Sequence, residues 1–220
     1  RDTRRPTFDG AAGFSSSKLH SFFEGMKPAW FDPLADVYSA ASEFYLDHRF
    51  DLLGSGWVRV SRGMECRGLE EMKYGPHEYI EADPDGHWLE DILNPPNAEY
   101  ARRLWRMVDE NYIPIDWQID FKSGYRWRED MWCNDLEYGD APGADVKVPW
   151  ELARMQHLPQ LAAAFALAIS GRDGFRPPEV YAREFRNQVI DFTASNPPRY
   201  GVNWKCAMDV AIRAVNMLAA

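Results

Sequence analysis

The sequence predicts a mainly α protein made of helical hairpins, with long irregular loops and one or two short strands. Apolar side chains recur at helical spacing in five segments of the 220-residue chain, and proline or glycine residues separate those segments. Three of these segments follow one another in the last third of the chain and are joined by short turns. That arrangement is typical of antiparallel helical hairpins.

The first two predicted helices lie in the N-terminal half. Asp32 and Pro33 form a pair suited to capping and starting a helix, which we expect over residues 33–47. A second helix follows the prolines at 95 and 96 and runs to about residue 110. Between these helices the sequence is rich in glycine and proline, so it predicts loops in which runs such as 57–60 form short strands.

The last third of the chain carries the clearest helical signals. Residues 148–169 predict one helix kinked at Pro159, or two stacked helices, because proline lacks an amide donor; Gly171 is a plausible stop. The next helix starts at Pro177–Pro178 and ends before Asn196. A last helix begins near Asn203, and we expect it to bury the following apolar positions: Ala207, Val210, Ala211, Ala214, Val215 and Leu218.

Composition excludes two classes of protein. No stretch approaches the roughly 18 uninterrupted apolar residues of a membrane span. With 34 acidic and 25 basic residues the net charge is −9, which argues against nucleic acid as a partner. The excess acidity lies in residues 65–99, which we expect to be a solvated loop. Residues 146–220 hold nine basic and six acidic side chains, so this part is compatible with an acidic partner.

The cysteines and the chain ends suggest little chemistry of their own. Cys66, Cys133 and Cys206 lie far apart with no C-x-x-C spacing, which supports neither a disulfide framework nor a zinc site. Residues 1–29 show no sustained period, and we expect an N-terminal extension that is either a mobile end or a strap over a neighbouring surface. Because the chain starts without methionine and stops inside an amphipathic run, we expect a fragment of a longer protein.

Aromatic residues are the first candidates for ligand binding. Four of the nine tryptophans, together with two tyrosines and a phenylalanine, fall within residues 105–132. An aromatic wall can hold the apolar face of a sugar ring, although large rings also fill cores between irregular loops. Both interpretations stay open for Trp117 and Tyr125.

Charged and polar residues give three further candidates. Asp116 and Asp120 could form the carboxylate pair of a glycosidase, but aspartates that bind loop amides or pair with Lys122 and Arg126 are commoner. The second candidate is the set Glu151, Arg154 and His157, which helical spacing places on one side of a helix. These polar residues form either a functional edge or a structural ion pair, with His157 one turn further along. The third is Asn203, which either caps the last helix or meets an anionic ligand group.

Four ordered motifs resemble one protein family. They are RFDLLGSG at 49–56, IDWQIDFKSGY at 115–125, WELAR at 150–154, and GVNW at 201–204 with RAVN at 213–216. Together they resemble the N-terminal region of heparinase II/III-like proteins, which are polysaccharide lyases related to alginate lyases. The resemblance implies that residues 30–220 form the N-terminal part of an incomplete α/α toroid, which a β-sandwich domain follows in that family.

The resemblance also implies a reaction, β-elimination on a polysaccharide that contains uronic acid. This chemistry needs a group that neutralises the uronate carboxylate, a base and an acid. The family uses an Asn-His pair, a tyrosine and a further histidine, and no Asn-His dipeptide occurs in these 220 residues. We therefore expect no catalytic residue here and no turnover by this chain alone.

The resemblance implies that this chain contributes part of the substrate cleft. The expected substrate contacts are Trp150, Arg154, His157, Asn203, Trp204, Trp117 and Tyr125. The expected partners are an acidic polysaccharide and the remaining toroid and β-sandwich of the same protein, in the periplasm or cell envelope. No metal or organic cofactor is implied. The alternative is a noncatalytic carbohydrate-binding or scaffold toroid in surface polysaccharide production.

Overall fold

A computed structural model of the chain describes Lys27 and residues 30–69, 71–75, 77 and 80–220. The predicted N-terminal extension over residues 1–29 therefore lies outside the described residues, apart from Lys27. The described part is mainly helical with one small hairpin of strands, which confirms the predicted class. In chain order its elements are α1 (Ala35–Leu46), β1 (Arg49–Asp51), β2 (Trp57–Arg59), α2 (Trp88–Ile92), α3 (Pro95–Trp105), α4 (Lys147–Ala153), α5 (Leu158–Ile169), α6 (Pro178–Ser195) and α7 (Ala207–Ala219).

Helix α5 lies at the centre because its sequence is apolar on almost every side. Its three leucines and two of its alanines, Ala163 and Ala164, are buried, and α1, α6 and α7 all pack against it. Residues 170–177 connect α5 to α6, and the two helices pack on each other as the predicted hairpin does. On the far side of α6 lies α3, which also contacts α2.

The N-terminal elements are largely as predicted. Helix α1 confirms the helix expected over residues 33–47, but Asp32 does not cap it. Asp32 begins a 3₁₀ turn, Asp32–Leu34, and its side chain makes no capping hydrogen bond. Strands β1 and β2 pair antiparallel with Phe50 opposite Val58, so the strand expected near 57–60 is present.

The second predicted helix is longer than the observed one, and the short helix before it was not predicted. Helix α3 ends at Trp105, whereas apolar periodicity extended the prediction to about residue 110. Val108 lies in the turn after the helix and still packs on the core around Trp88, so its burial mimics helical spacing. Helix α2 has five residues, too few for a periodic signal.

Pro159 starts a helix instead of kinking one. The chain leaves α4 at Arg154 and re-enters a helix at Leu158, so the prediction of two helices holds. Met155 lies between them with φ of +55°, the left-handed conformation that interrupts an α-helix. Pro159 then occupies the first turn of α5, where an amide donor is not needed.

The last helix starts later than predicted and exposes the face expected to be buried. Cys206 precedes its first residue, while Asn203 belongs to a separate 3₁₀ turn, Val202–Trp204, and caps nothing. The buried side chains of α7 are Asp209 and Arg213. The outward-facing apolar side chains are Ala207, Met208, Ala211, Ala214, Val215 and Leu218. Apolar spacing located the helix correctly but could not tell which face the rest of the fold covers.

The buried segment Ile115–Phe121 crosses the core without belonging to a helix or strand, and Asp191 on α6 holds one end of it. One oxygen of this buried carboxylate, Oδ2, accepts hydrogen bonds from the Ile115 amide at 2.9 Å, the Trp117 indole at 3.1 Å and the Tyr112 hydroxyl at 3.2 Å. A buried backbone amide needs such a partner where no strand ladder provides one. Burial raises the pKa of Asp191 to about 6.

The raised pKa predicts how the stability of the Asp191→Asn variant compares with the wild type at different pH. The folded carboxyl binds a proton more readily than the unfolded one, so its contribution to stability grows as the pH falls from 6 towards 4. Lowering the pH from 7 to 5 should stabilise the wild type relative to the variant by about 1 kcal/mol. Urea unfolding of both proteins at each pH measures this difference, and parallel pH profiles would contradict the assignment.

Candidate functional site

The two candidate glycosidase carboxylates are fully engaged inside the fold. Asp116 Oδ2 accepts from Arg126 Nε at 2.8 Å, and Asp120 Oδ2 accepts from the Ser123 hydroxyl at 2.5 Å. Asp120 also accepts the backbone amides of Lys122 and Asp145. Both carboxylates are buried, which confirms that they bind loop amides and Arg126.

Lys122 differs from the expectation that it pairs with one of these aspartates. Its ammonium group reaches across to the N-terminal hairpin and donates to the Leu53 carbonyl at 2.9 Å. Arg126 instead forms the ion pairs of this region, because it also binds Glu129. Glu129 in turn binds Arg62. These charges hold the pKa of the buried Glu129 down, to about 2, against the effect of burial.

Trp117 and Asn203 lie in a buried polar network. Asn203 Nδ2 donates to the Trp117 carbonyl at 2.7 Å and to Asn196 Oδ1 at 3.0 Å. Gln118 Nε2 donates to the same Asn196 oxygen at 2.7 Å, while Gln118 Oε1 accepts the Val202 amide at 2.9 Å. These hydrogen bonds connect the second resemblance motif, residues 115–125, to the fourth, residues 201–204. Contact of Trp117 or Asn203 with a ligand stays a prediction, and it would require these segments to separate.

His157 is also internal. Its Nε2 donates to Gln188 Oε1 at 2.6 Å, and its ring packs against those of Tyr45 and Phe50. Burial without a countercharge lowers the pKa of His157 to about 4, so the ring is neutral near pH 7. The surroundings are those of a hydrogen-bonded core histidine, and a substrate contact remains untested.

Glu151 and Arg154 form the ion pair that the helical spacing predicted. Arg154 Nη1 binds Glu151, while Arg154 Nε binds the buried Asp209 of α7 at 2.6 Å. The Arg154 carbonyl also accepts from the Asn216 side chain at 2.8 Å. About a fifth of the Arg154 side chain is exposed, so one edge of the guanidinium group remains near the surface.

Tyr125, Trp127 and Tyr138 line a small pocket that we call the Tyr138 pocket, and Trp150 packs against Tyr138 from outside the lining. The Trp150 and Tyr138 rings meet edge to face at 5.4 Å, as do Tyr125 and Trp127 at 4.8 Å. The lining residues of the pocket include the rings of Tyr125, Trp127 and Tyr138 and the acidic side chains of Glu137 and Asp140, and its volume is about 120 Å³. Small-molecule sites usually span roughly 300–1,000 Å³, so this pocket could hold one face of a sugar ring without enclosing it.

The sequence interpretation missed Tyr138 and Lys205. Tyr138 is 46% exposed, and Lys205 Nζ lies 5.9 Å from the centre of its ring while donating to the carbonyls of Asn134 and Leu136. Tyr138 stands outside the dense aromatic segment, so composition gave no signal. Its exposure depends on how the loop over residues 134–146 folds.

Trp204 faces a different part of the fold from the Tyr138 pocket. Its indole donates to the Asn196 carbonyl at 3.1 Å, and its ring covers the guanidinium group of Arg213 at 4.9 Å, with Phe192 on another side at 4.4 Å. Burial lowers the pKa of Arg213 to about 10. Trp204 is half-buried, so part of its ring remains available at the surface.

The described residues contain neither a metal-binding cluster nor a helix of membrane-spanning character. No group of three or more histidine, cysteine or acidic side chains is arranged there to hold a metal ion. No helix in the same part of the chain combines the length and apolar character that crossing a bilayer needs.

His157→Gln should flatten the acid sensitivity of folding. The unfolded histidine takes up a proton below about pH 6.5 but the buried ring resists it until about pH 4, so stability falls as the pH drops through this range. Between pH 7 and 5 the wild type should lose about 2 kcal/mol more than the variant. Chemical unfolding at both pH values measures the difference, and equal losses would place the proton uptake elsewhere.

Gly201→Ala should destabilise the fold more than Gly171→Ala. Both glycines have positive φ, +77° and +78°, but a Cβ on Gly201 would lie 2.3 Å from the Gln118 amide, while Gly171 has open space. A left-handed φ costs alanine about 1–2 kcal/mol, and Gly201 also has ψ of 170°, a conformation essentially restricted to glycine, so backbone strain and the steric clash both add to the loss there. Thermal unfolding should show a clearly larger loss for Gly201→Ala, and similar losses would mean that the Gln118 network adapts.

Neither a protein family nor a curated protein nor a solved structure matches the chain. We therefore argue its function from its own motifs, buried contacts and partly exposed rings.

Proposed function

We propose that the chain forms part of the substrate cleft of a polysaccharide lyase that acts by β-elimination on a polysaccharide containing uronic acid. The observation that carries this proposal is the packing of the four resemblance motifs against one another. Lys122 binds the first motif at the Leu53 carbonyl, and Gln118 binds the fourth at the Val202 amide. Arg213 donates to the Ala153 carbonyl of the third motif at 3.1 Å. Such packing supports a shared scaffold, which we propose to be part of an α/α toroid.

The surface beside these motifs supports carbohydrate binding. Tyr125 and Tyr138 line the Tyr138 pocket and are partly exposed, Trp150 packs against Tyr138, and aromatic rings suit the apolar faces of sugars. Lys205 lies beside Tyr138, where its ammonium group would favour a nearby uronate carboxylate. In this proposal the ligand runs over the rings, while Trp117, His157 and Asn203 belong to the buried interior of the fold.

We propose that these residues bind the polysaccharide and do not transfer protons. β-Elimination needs a base at the proton next to the carboxylate and an acid at the leaving oxygen. The Asn-His pair of the family has no counterpart in the sequence, and the buried His157 is hydrogen-bonded to Gln188. We propose that groups outside this chain complete the site.

A glycosidase is the weaker alternative on geometric grounds. General acid and nucleophile roles require two carboxyl groups that face the scissile bond. Asp116 and Asp120 instead point into salt bridges and loop amides, and both are buried. Neither lines the Tyr138 pocket.

Tyr138→Ala tests the binding surface, with Tyr100→Ala as its matched control. Tyr100 on α3 is equally exposed, at 52% against 46%, but lies outside the pocket. An aromatic contact is worth about 1 kcal/mol, so affinity for a uronate polymer should fall about fivefold in Tyr138→Ala and stay unchanged in the control. Tryptophan fluorescence titration gives the affinities, and equal binding by both variants would remove the Tyr138 pocket from the site.

The reaction is tested in the intact protein. Incubation with uronate polymers should produce the unsaturated uronate end, detected by its ultraviolet absorbance. Binding without this product would favour the noncatalytic carbohydrate-binding alternative. Saturated reducing ends alone would indicate hydrolysis and overturn the lyase proposal.

A further inference from the structure

A second and larger cavity, of about 420 Å³, opens between the strand hairpin, the loop after α3, and α6. It shares no lining residue with the Tyr138 pocket. His48, Glu184 and Asn187 line its inner part and are largely buried, whereas Arg59 and Arg183 are exposed at its rim. Its volume falls in the range of small-molecule sites.

The inner part of this cavity is held in place by hydrogen bonds. His48 Nε2 donates to Glu184 Oε1 at 2.8 Å, and Gln188 Nε2 donates to the same oxygen at 2.7 Å. Asn187 Nδ2 donates to Asp109 Oδ2 at 2.9 Å. A site whose side chains are fixed in this way loses little conformational entropy on binding.

Glu184 keeps one acceptor for a ligand. Both of its hydrogen bonds use Oε1, and no residue in the described part of the chain donates to Oε2. Glu184 lines the cavity and its side chain is 13% exposed, so a hydroxyl group could reach it. A hydrogen bond to a carboxylate is stronger than one between neutral groups.

The charge of the lining argues against an anionic ligand. Four carboxylates face two guanidinium groups, and each guanidinium group is engaged: Arg59 by Asp47 at 3.2 Å and Arg183 by Asp109 at 3.5 Å. The apolar side chains in the lining are Leu46 and Ile113, too few for an apolar ligand. A neutral ligand rich in hydroxyl groups fits both constraints, because hydroxyls can donate to carboxylates and accept from arginines.

We propose that this cavity binds a neutral sugar unit, with Glu184 accepting a hydroxyl hydrogen bond. The inference goes beyond the proposed lyase function and does not depend on it. It defines a carbohydrate site separate from the Tyr138 pocket.

The test uses the methyl glycosides of glucose, galactose and mannose as probes, with glucuronate as the charged counterpart. Saturation-transfer NMR and calorimetry on the 220-residue chain should detect millimolar or tighter binding of at least one glycoside and weaker binding of glucuronate. Glu184→Gln should reduce the affinity about tenfold, since it replaces Oε2 with a donor. Glu179→Gln, the same change on an exposed residue of α6, is the matched control.

A second variant separates binding from folding. Ile113 is exposed at the cavity, so Ile113→Trp should fill the space without disturbing the core and should abolish glycoside binding. Absence of binding by any glycoside, tighter binding of glucuronate, or equal affinity in Glu184→Gln and Glu179→Gln would each overturn the inference. Failure of Tyr138→Ala to affect uronate polymer binding would count against the proposed function alone.

Discussion

The carboxylate of Asp191 is the contact on which the arrangement of the core depends. It fixes the start of an irregular buried segment to α6 by taking three donors on one oxygen. A segment of this kind has no ladder to satisfy its backbone, so side chains must do so. Asp120 and Asn203 serve the same purpose further along, each binding main-chain groups from distant parts of the chain. The fold is therefore a helical frame in which polar side chains organise a non-helical interior.

This construction separates the supporting residues from those that could meet a ligand. The buried members of the motifs bind one another, and the rings of Trp150 and Tyr125 reach the surface beside them. Substitutions in the interior would thus affect ligand binding by displacing the surface rings. Substitutions of the exposed rings would remove ligand contacts directly. The larger cavity beside Glu184 stands on the same helix as Asp191, so α6 supports both the interior and a second surface site.

Sequence patterns predicted the helices well where apolar spacing and proline limits agree, as in α1 and α6. They located α7 but were wrong about which of its faces is buried, because periodicity identifies an apolar face but not the neighbours that cover it. They offered Asn203 as a helix cap or a ligand contact, since a capping residue type before a helix is common, whereas its side chain donates to the Trp117 carbonyl, 86 residues away in the chain, and to Asn196. Burial of Asn187 and Asp191 on α6 could not be predicted, because their partners, such as Asp109 and Ile115, come from loops without regular structure.

The attachment of α7 has a consequence for local dynamics. This helix is anchored by two buried charged residues, Asp209 and Arg213, while Val215 and Leu218 are 64% and 71% exposed. Helix α5, in contrast, has buried apolar side chains from Leu158 to Leu167. Regions with few buried apolar contacts open at lower free energy than the global unfolding transition. Amide protons of α7 should therefore exchange with solvent through local opening, whereas those of α5 should exchange only when the whole chain unfolds.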